Sequence, residues 1–328
     1  MVRLIRRSVL RTLGYAAPGV AAGLFEKALL TPDKVRRCDQ PLPGSESASF
    51  RIPYGNGWLA AWSWGDGPTV LLLHGWGSGA ASLGVFVGPL LERGFRVVAF
   101  DAPAHGQSDG TRTNMVDYAG AVLQVGRAVG PLHGVVAHSF GAPAAALATR
   151  HGLQPERMVM MAPPQNIIDL SMEVGELLGF PRHVCELMGQ RLAERLRIDW
   201  EELATDRLVE GLEAPLLVVH DRDDRTVPWT HGATIAEAAR DGELLSTEGL
   251  GHSDIKTDPD VQRHVLDFVT GKASSMGGAS AASSRRVASE DERVEEDAGE
   301  QDREDEPRNK VDPQRPRLAV SGGQPRRQ

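Results

Sequence analysis

The chain has 328 residues, of which 41% are apolar and 24% are charged, as is typical of soluble globular proteins. The formal charge of -8 is uneven: residues 1–37 carry +6, residues 38–273 carry -12 and residues 274–328 carry -2. An acidic body argues against nucleic acid as the main partner, because phosphate binding needs a clustered basic surface. Cys38 and Cys185 match neither a disulfide framework nor a CxxC metal spacing, which favours free thiols in the cytoplasm.

Residues 1–37 predict two short basic amphipathic helices, the second beginning near Pro18 and ending before Pro32. Apolar residues recur at helical spacing in the first helix: Val2, Ile5, Val9 and Leu13. A secretory signal fits poorly, because Arg11 and Pro18 interrupt the apolar stretch that such a signal needs. We expect these helices to pack on the following domain, and a peripheral contact of residues 1–37 with an anionic membrane stays open as the alternative.

Between residues 45 and 271 the pattern alternates strands with helices. Two apolar runs around Gly55-Asn56-Gly57 predict a hairpin. The predicted buried strands that follow are TVLLLHGWG, FRVVAFDAP, GVVAHS, RMVMMAP, APLLVVHD and GELLSTEGLGH. The predicted helices lie near residues 82–92, 115–129, 140–151 and 258–270, with a longer helical stretch at 165–212. This alternation predicts a largely parallel sheet that is covered by helices on both faces.

Residues 272–328 differ from the rest of the chain in composition. They are rich in Ser, Gly and Pro and carry many charges of both signs, with few large apolar residues. Such a segment cannot bury enough apolar surface to offset the entropy of ordering, so we expect a disordered charged tail.

Polar side chains that could carry out chemistry follow the predicted strands, where the sites of such sheets lie. A serine nucleophile needs a base, and that base needs an acid that fixes its tautomer. VVAHSFGAP places Ser139 directly after one strand, and GLGHSDI places His252 in a glycine-flanked loop after the last one. VVHDRDDRTVP places the carboxylates of Asp221, Asp223 and Asp224 after the strand before it. A metal site is not expected there, since no second histidine stands at a ligand spacing.

Residues of about 45 to 271 resemble the α/β-hydrolase fold family, in particular its serine esterases and lysophospholipases. AHSFG resembles the nucleophile elbow of that family and LLLHGWG its oxyanion loop, while FDAPAHGQS, HDRDDRTVP and GLGH resemble its later loops. The resemblance implies an α/β fold with a mostly parallel sheet of about eight strands, helices on both faces and a short helical cap at residues 165–212.

The resemblance also implies the roles of the site residues. Ser139 is the expected nucleophile, His252 the general base and then acid, and Asp224 the carboxylate that orients the histidine. Asp224 is preferred because the family places this acid three residues before a Val-Pro pair, here at residues 227–228. Asp221 and Asp223 remain alternatives for the acid.

The backbone N–H groups of Trp76 and Phe140 are the implied oxyanion donors. Charge develops on the substrate carbonyl oxygen during attack, and two N–H groups aimed at that oxygen stabilise it. We interpret four further polar residues as groups that brace the loops rather than react: His74, Asp101, His105 and Ser108.

The implied activity is cofactor-free cleavage of a carboxylic ester or thioester through an acyl-enzyme, with no metal ion and with a small molecule as the partner. Acyl transfer, or cleavage of a C–C or amide bond, could use the same three residues. A non-catalytic, membrane-associated binding protein on a hydrolase scaffold is the alternative from another class. Within the cap, six apolar residues could either line an acyl pocket or pack internally: Leu170, Val174, Leu177, Leu178, Leu187 and Met188.

Overall fold

The computed structural model describes residues 2–32 and 47–271, which form one eight-stranded sheet with helices around it. The strands are β1 (Ala48–Tyr54), β2 (Gly57–Trp64), β3 (Thr69–Leu73), β4 (Arg96–Phe100), β5 (Leu132–His138), β6 (Pro155–Met161), β7 (Leu216–Asp221) and β8 (Gly242–Thr247). Their order across the sheet is β1-β2-β4-β3-β5-β6-β7-β8. β2 is antiparallel to both of its neighbours, and all other pairs are parallel. The expectation of a mostly parallel sheet with about eight strands is therefore confirmed.

Helices cover the sheet on both faces. Their bounds are α1 (Val2–Ala16), α2 (Pro18–Leu30), α3 (Val87–Glu92), α4 (Met115–Val129), α5 (Gly141–Arg150), α6 (Ile167–Leu178), α7 (Arg182–Leu196), α8 (Thr205–Val209), α9 (Trp229–Ala238), α10 (Gly251–Asp254) and α11 (Pro259–Thr270). One core lies between the sheet and α4, α5, α8 and α9, and a second lies between the sheet and α3, α11 and a 3₁₀ helix at Ala80–Phe86. Because both faces are covered, every residue of β3 and of β7 is buried.

The β1–β2 hairpin closes at the turn that the glycines predicted. Gly55 has a φ of 56°, which glycine adopts without steric cost, and Tyr54 pairs with Gly57 directly across the turn. The hairpin extends the sheet past β4 at the edge opposite to β8.

A third apolar core joins the N-terminal helices to the cap helices α6 and α7. It is built from Ala21, Ala22, Phe25, Leu30, Ile168, Phe180, Val184, Cys185, Met188 and Leu192. The ring centroids of Phe25 and Phe180 are 5.0 Å apart, and Arg195 forms an ion pair of 2.6 Å with Glu26. The N-terminal helices thus pack on the cap. Burial raises the pKa of the Cys185 thiol to about 11 within this core.

The buried face of α1 differs from the apolar stripe that the spacing predicted. Val9, a member of that stripe, is exposed, whereas Gly14 is buried. A Cβ at Gly14 would lie 2.5 Å from Cδ of Pro181 and 3.2 Å from a methyl group of Val184. The helix therefore approaches the cap through a residue without a side chain, and this rotates Val9 toward solvent.

Two of the predicted features lie outside the described residues, namely Cys38 and the C-terminal tail at 272–328. Within residues 2–32 and 47–271, no helix is both long enough and apolar enough to cross a bilayer.

Candidate active site

Ser139 sits in the sharp turn between β5 and α5. Its φ of 51° is in the left-handed region, which costs a non-glycine residue about 1–3 kcal/mol. The N–H of Ser139 donates a hydrogen bond of 2.8 Å to the carbonyl of Met161 on β6. A Cβ at Gly141 would lie 2.8 Å from the carbonyl oxygen of His74, so only glycine allows the turn this close to the neighbouring strand. The turn has the strand-to-helix geometry of a nucleophile elbow.

A continuous chain of hydrogen bonds links Ser139, His252 and Asp224. Nε2 of His252 lies 3.0 Å from Oγ of Ser139, and Nδ1 of His252 lies 2.7 Å from Oδ2 of Asp224. Since Asp224 can only accept at Nδ1, the neutral ring carries its proton there and presents Nε2 to the serine hydroxyl as an acceptor. This is the arrangement in which a histidine can take the proton of a serine.

The Asp224 carboxylate is buried and strongly hydrogen-bonded. Its other oxygen accepts the N–H groups of Thr226 and Val227 at 2.8 and 2.9 Å. Burial alone would raise its pKa, but hydrogen bonds from His220, His252 and the Val227 N–H outweigh burial and hold the pKa well below the usual range. Asp224 is therefore ionised near pH 7.

The two alternative carboxylates contact the loop that carries His252 rather than the histidine itself. Asp221 accepts the hydroxyl of Thr247 at 2.7 Å and the N–H of Leu250 at 3.1 Å. Asp223 accepts the N–H of Gly249 at 2.9 Å. Both carboxylates thus hold the backbone on the approach to His252.

His138 contacts His252, the candidate base. In the sequence, only its position beside Ser139 indicated a place near the site. Its Nε2–H donates to the carbonyl of His252 at 2.9 Å, and the two rings are 5.0 Å apart. Burial lowers the pKa of His138 to about 3, so the ring is neutral near pH 7. His138 therefore fixes the backbone of His252 without competing for its proton.

His220 lies on the far side of Asp224. Its Nε2 is 3.0 Å from the carbonyl oxygen of Val227 and 3.4 Å from Oδ2 of Asp224, and the side chain is fully buried. In the sequence, His220 is the one histidine beside the aspartates, where a metal site is not expected because no second histidine stands at a ligand spacing. His220 lies at the end of the buried strand β7, and this position indicates that its side chain faces the following loop, which carries Asp224.

The loop after β3 lies directly against Ser139. A Cβ at Gly75 would be 3.1 Å from Cβ of Ser139 and 3.2 Å from Nδ1 of His138. In the part of the chain that the structure describes, the N–H groups of Trp76 and Phe140 donate to no other protein group. Two backbone donors that flank the serine are thus free to bind a ligand oxygen.

His74 and His105 brace this loop. Nε2 of His74 accepts the N–H of Ala102 at 2.9 Å, and its Nδ1–H donates to the carbonyl of Gly75 at 2.7 Å. Burial lowers the pKa of His74 to about 3. Nε2 of His105 accepts the N–H of Gly77 at 3.0 Å.

Asp101 and Ser108 fix the loop that follows β4. The carboxylate of Asp101 accepts the N–H groups of Ala80 and Gln107, each at 2.8 Å. The Ser108 hydroxyl donates to the Asp101 carbonyl at 2.6 Å and accepts the N–H of Ala60 at 2.9 Å. All of these hydrogen bonds are with backbone groups, which join the loop to β2 and to the start of the 3₁₀ helix.

Aromatic rings surround the free N–H groups. The rings of Trp76 and Phe140 meet edge to face with centroids 5.0 Å apart, and the Tyr118 hydroxyl donates to the carbonyl of His74 at 3.0 Å. Of the cap residues considered for an acyl pocket, Met188 is buried in the third core and Leu178 and Leu187 pack against it. Val174 and Leu177 are exposed, and Leu170 is half-buried. The rings of Trp76 and Phe140 thus form an aromatic wall next to the free N–H groups.

The fold and the motifs together define the class of this protein. A family model described as "alpha/beta hydrolase fold" matches residues 68–200. The chain has the α/β-hydrolase fold, as the motifs predicted, and over residues 68–200 it is similar to that family.

Three known proteins illustrate the similarity. Protein ABHD12B of Homo sapiens is 27% identical over 221 residues, which cover 62% of this chain and 60% of ABHD12B. The bifunctional esterase/perhydrolase DCH of Acinetobacter calcoaceticus is 24% identical, and the match covers 63% of this chain and 94% of DCH. The crystal structure of a bacterial membrane phospholipase A superposes on this chain with a TM-score of 0.55 at 21% identity. The superposition covers 83% of this chain and 99% of the phospholipase. The last similarity shows the fold alone, and the chain spans only 60% of the length of ABHD12B.

Proposed function

We propose that this protein is a serine hydrolase that cleaves a carboxylic ester or thioester through an acyl-enzyme. The observation that carries the proposal is the hydrogen-bonded chain from Ser139 Oγ through His252, at 3.0 Å, to Asp224, at 2.7 Å. These are the distances that a nucleophile, a general base and an orienting acid need.

In the proposed reaction, Ser139 Oγ attacks the carbonyl carbon of the substrate while its proton passes to Nε2 of His252. The Asp224 carboxylate stabilises the imidazolium. The carbonyl electron pair moves to oxygen, which the N–H groups of Trp76 and Phe140 stabilise by about 3 kcal/mol for each donor. His252 then returns the proton to the leaving alkoxide or thiolate, and the acyl group stays on Ser139.

A water molecule completes the cycle. It attacks the acyl-enzyme while His252 takes its proton, and collapse of the second tetrahedral intermediate releases the acid and restores the serine. Every proton transfer uses a group that is already present in the site, so the proposed chemistry needs no cofactor.

Relatives and surroundings both support an ester as the substrate. DCH is named an esterase and a perhydrolase. The aromatic wall of Trp76 and Phe140 next to the serine favours an apolar acyl or leaving group.

We place the reaction in the cytoplasm, because the buried Cys185 is a free thiol.

Initial rates with p-nitrophenyl esters of graded chain length test the proposal. We expect turnover by the wild type, a loss of about 10⁴-fold or more in kcat/KM for Ser139→Ala, and no change for Ser49→Ala, a control at an exposed serine of β1. Equal turnover by wild type and Ser139→Ala would refute it.

The same assay separates the alternative activities. Acylated alcohol in the presence of a competing alcohol would indicate acyl transfer, and turnover of p-nitroanilides would indicate amide cleavage. A folded wild type that turns over none of these substrates would favour the non-catalytic binding protein.

A further inference from the structure

The outer surface of the N-terminal helices combines exposed apolar residues with basic ones. We call this surface the N-terminal face and define it by Arg7, Val9, Arg11, Tyr15, Val20, Leu24 and Lys27, all of which are exposed. The opposite side of α2 buries Ala21, Ala22 and Phe25 in the third core. The packing of the helices on the cap therefore fixes which residues point outward.

Exposed large apolar residues are concentrated on this face. Val9, Tyr15, Val20 and Leu24 are 59%, 65%, 58% and 45% exposed, and they make up half of the strongly exposed large apolar residues in the described chain. Scattered exposed apolar residues are common, but four of them on two consecutive helices mark an interaction surface.

The charges on the same surface have one sign. Residues 2–32 contain five basic residues and a single acidic one, Glu26. The Glu26 side chain is 14% exposed and forms an ion pair with Arg195 of the cap, so it does not offset the exposed Arg7, Arg11 and Lys27. The remainder of the protein is acidic, because the net charge of the whole chain is -8.

The neighbouring helix α6 does not share this character. Val174 and Leu177 are also exposed, but Glu173 and Glu176 lie on the same exposed side. We therefore confine the face to α1 and α2.

We propose that the N-terminal face binds the surface of an anionic lipid bilayer, with α1 and α2 lying in the interface. Helices that lie in this way combine apolar side chains with arginine and lysine. Anionic headgroups would attract the N-terminal face and repel the acidic body, so the lipid surface would also orient the molecule. A second copy that used the same face symmetrically would bring two positively charged surfaces together, which disfavours a dimer.

Vesicle flotation tests this proposal with the full-length protein. We expect the wild type to float with vesicles of phosphatidylcholine and phosphatidylglycerol at low ionic strength, and to float less with phosphatidylcholine alone or at high salt. Each unit of surface charge changes binding by a factor of about five, so Arg11→Glu, which changes the charge by two units, should weaken binding about 25-fold. The matched control is Arg51→Glu, at an exposed arginine of β1, which should bind like the wild type.

The apolar contribution is tested separately. The double variant Val20→Ser, Leu24→Ser should weaken binding at every salt concentration, whereas Val85→Ser, at an exposed valine outside the face, should not. Circular dichroism checks that all variants are folded. Ser139→Ala should bind vesicles like the wild type, so this proposal and the proposed chemistry fail independently.

Three results would overturn the proposal. The first is that the wild type does not float with anionic vesicles at low salt, and the second is that Arg11→Glu and Arg51→Glu bind equally. The third is that light scattering shows a dimer that the double variant Val20→Ser, Leu24→Ser dissociates, without any vesicle binding, which would assign the face to a second copy of the chain.

Discussion

Replacing Asp224 by asparagine should abolish the base function of His252 while leaving the geometry almost unchanged. One oxygen of Asp224 accepts the N–H groups of Thr226 and Val227, and we expect the amide oxygen of the asparagine to keep these bonds. The amide NH₂ would then occupy the position 2.7 Å from Nδ1 of His252. An NH₂ group only donates, so the imidazole must place its proton on Nε2.

The size of the effect follows from this tautomer. With a proton on Nε2, His252 cannot accept the proton of Ser139, and the expected loss in kcat is about 10⁴-fold, or about 5.4 kcal/mol in activation free energy. KM should change little, because Asp224 is buried behind the histidine. The assay is the rate of p-nitrophenol release from the best p-nitrophenyl ester, with wild type and variant at equal concentration.

Asp223→Asn is the matched control. Asp223 is exposed and accepts one N–H, from Gly249, which an asparagine oxygen can also accept. We expect its kcat within about threefold of the wild type, as for most surface substitutions. If Asp224→Asn retained kcat within about tenfold while Asp223→Asn or Asp221→Asn lost activity, the assignment of the orienting acid would be wrong.

Three further predictions concern the surroundings of the site. In Gly75→Ala, the new Cβ would lie 3.1 Å from the Cβ of Ser139, so the loop after β3 must shift. We expect kcat to fall about tenfold or more with little change in KM, because the shift displaces the Trp76 N–H. An unchanged kcat would contradict this prediction. Burial lowers the pKa of His74 and His138 to about 3 in the folded protein, whereas an exposed histidine of the unfolded chain has a pKa near 6.5. Between these values the unfolded chain binds protons that the folded protein does not, so the free energy of unfolding decreases as the pH falls from 6.5 toward 3. Urea unfolding at pH 6 and pH 5 should show a loss of about 1.4 kcal/mol per pH unit for each histidine, and a flat profile would count against it. Cys185, with its pKa raised to about 11, should react with a thiol reagent only after denaturation. Fast labelling of Cys185 in a native Cys38→Ser variant would disprove its burial.

Much of the fold could be predicted because its signals are local. Buried parallel strands appear as short apolar runs, and a strand end followed by a glycine-rich turn marks the edge where the site residues meet. Ser139, His252 and a carboxylate among Asp221, Asp223 and Asp224 could be named for this reason, and the family resemblance pointed to Asp224. The structure places Ser139 and Asp224 within hydrogen-bond distance of His252. Their catalytic roles remain proposals.

The contacts that the sequence did not reveal are between distant segments. No periodicity indicates that α2 packs on the cap, because that contact depends on complementary surfaces of Phe25 and Phe180, which stand far apart in the chain. The orientation of α1 follows from the close approach at Gly14, which a helical stripe does not encode. Likewise, the contact of His138 with the carbonyl of His252 depends on how the last loop folds back over the sheet.

The most direct test of the central claim is covalent labelling of Ser139. A fluorophosphonate probe should react with the native protein, and mass spectrometry of the tryptic digest should find the added mass on Ser139, within the peptide of residues 128–150. Ser139→Ala should not be labelled, and Ser49→Ala should be labelled like the wild type. Folded wild-type protein that stays unlabelled, or a label that persists in Ser139→Ala, would contradict the proposal that Ser139 is the nucleophile.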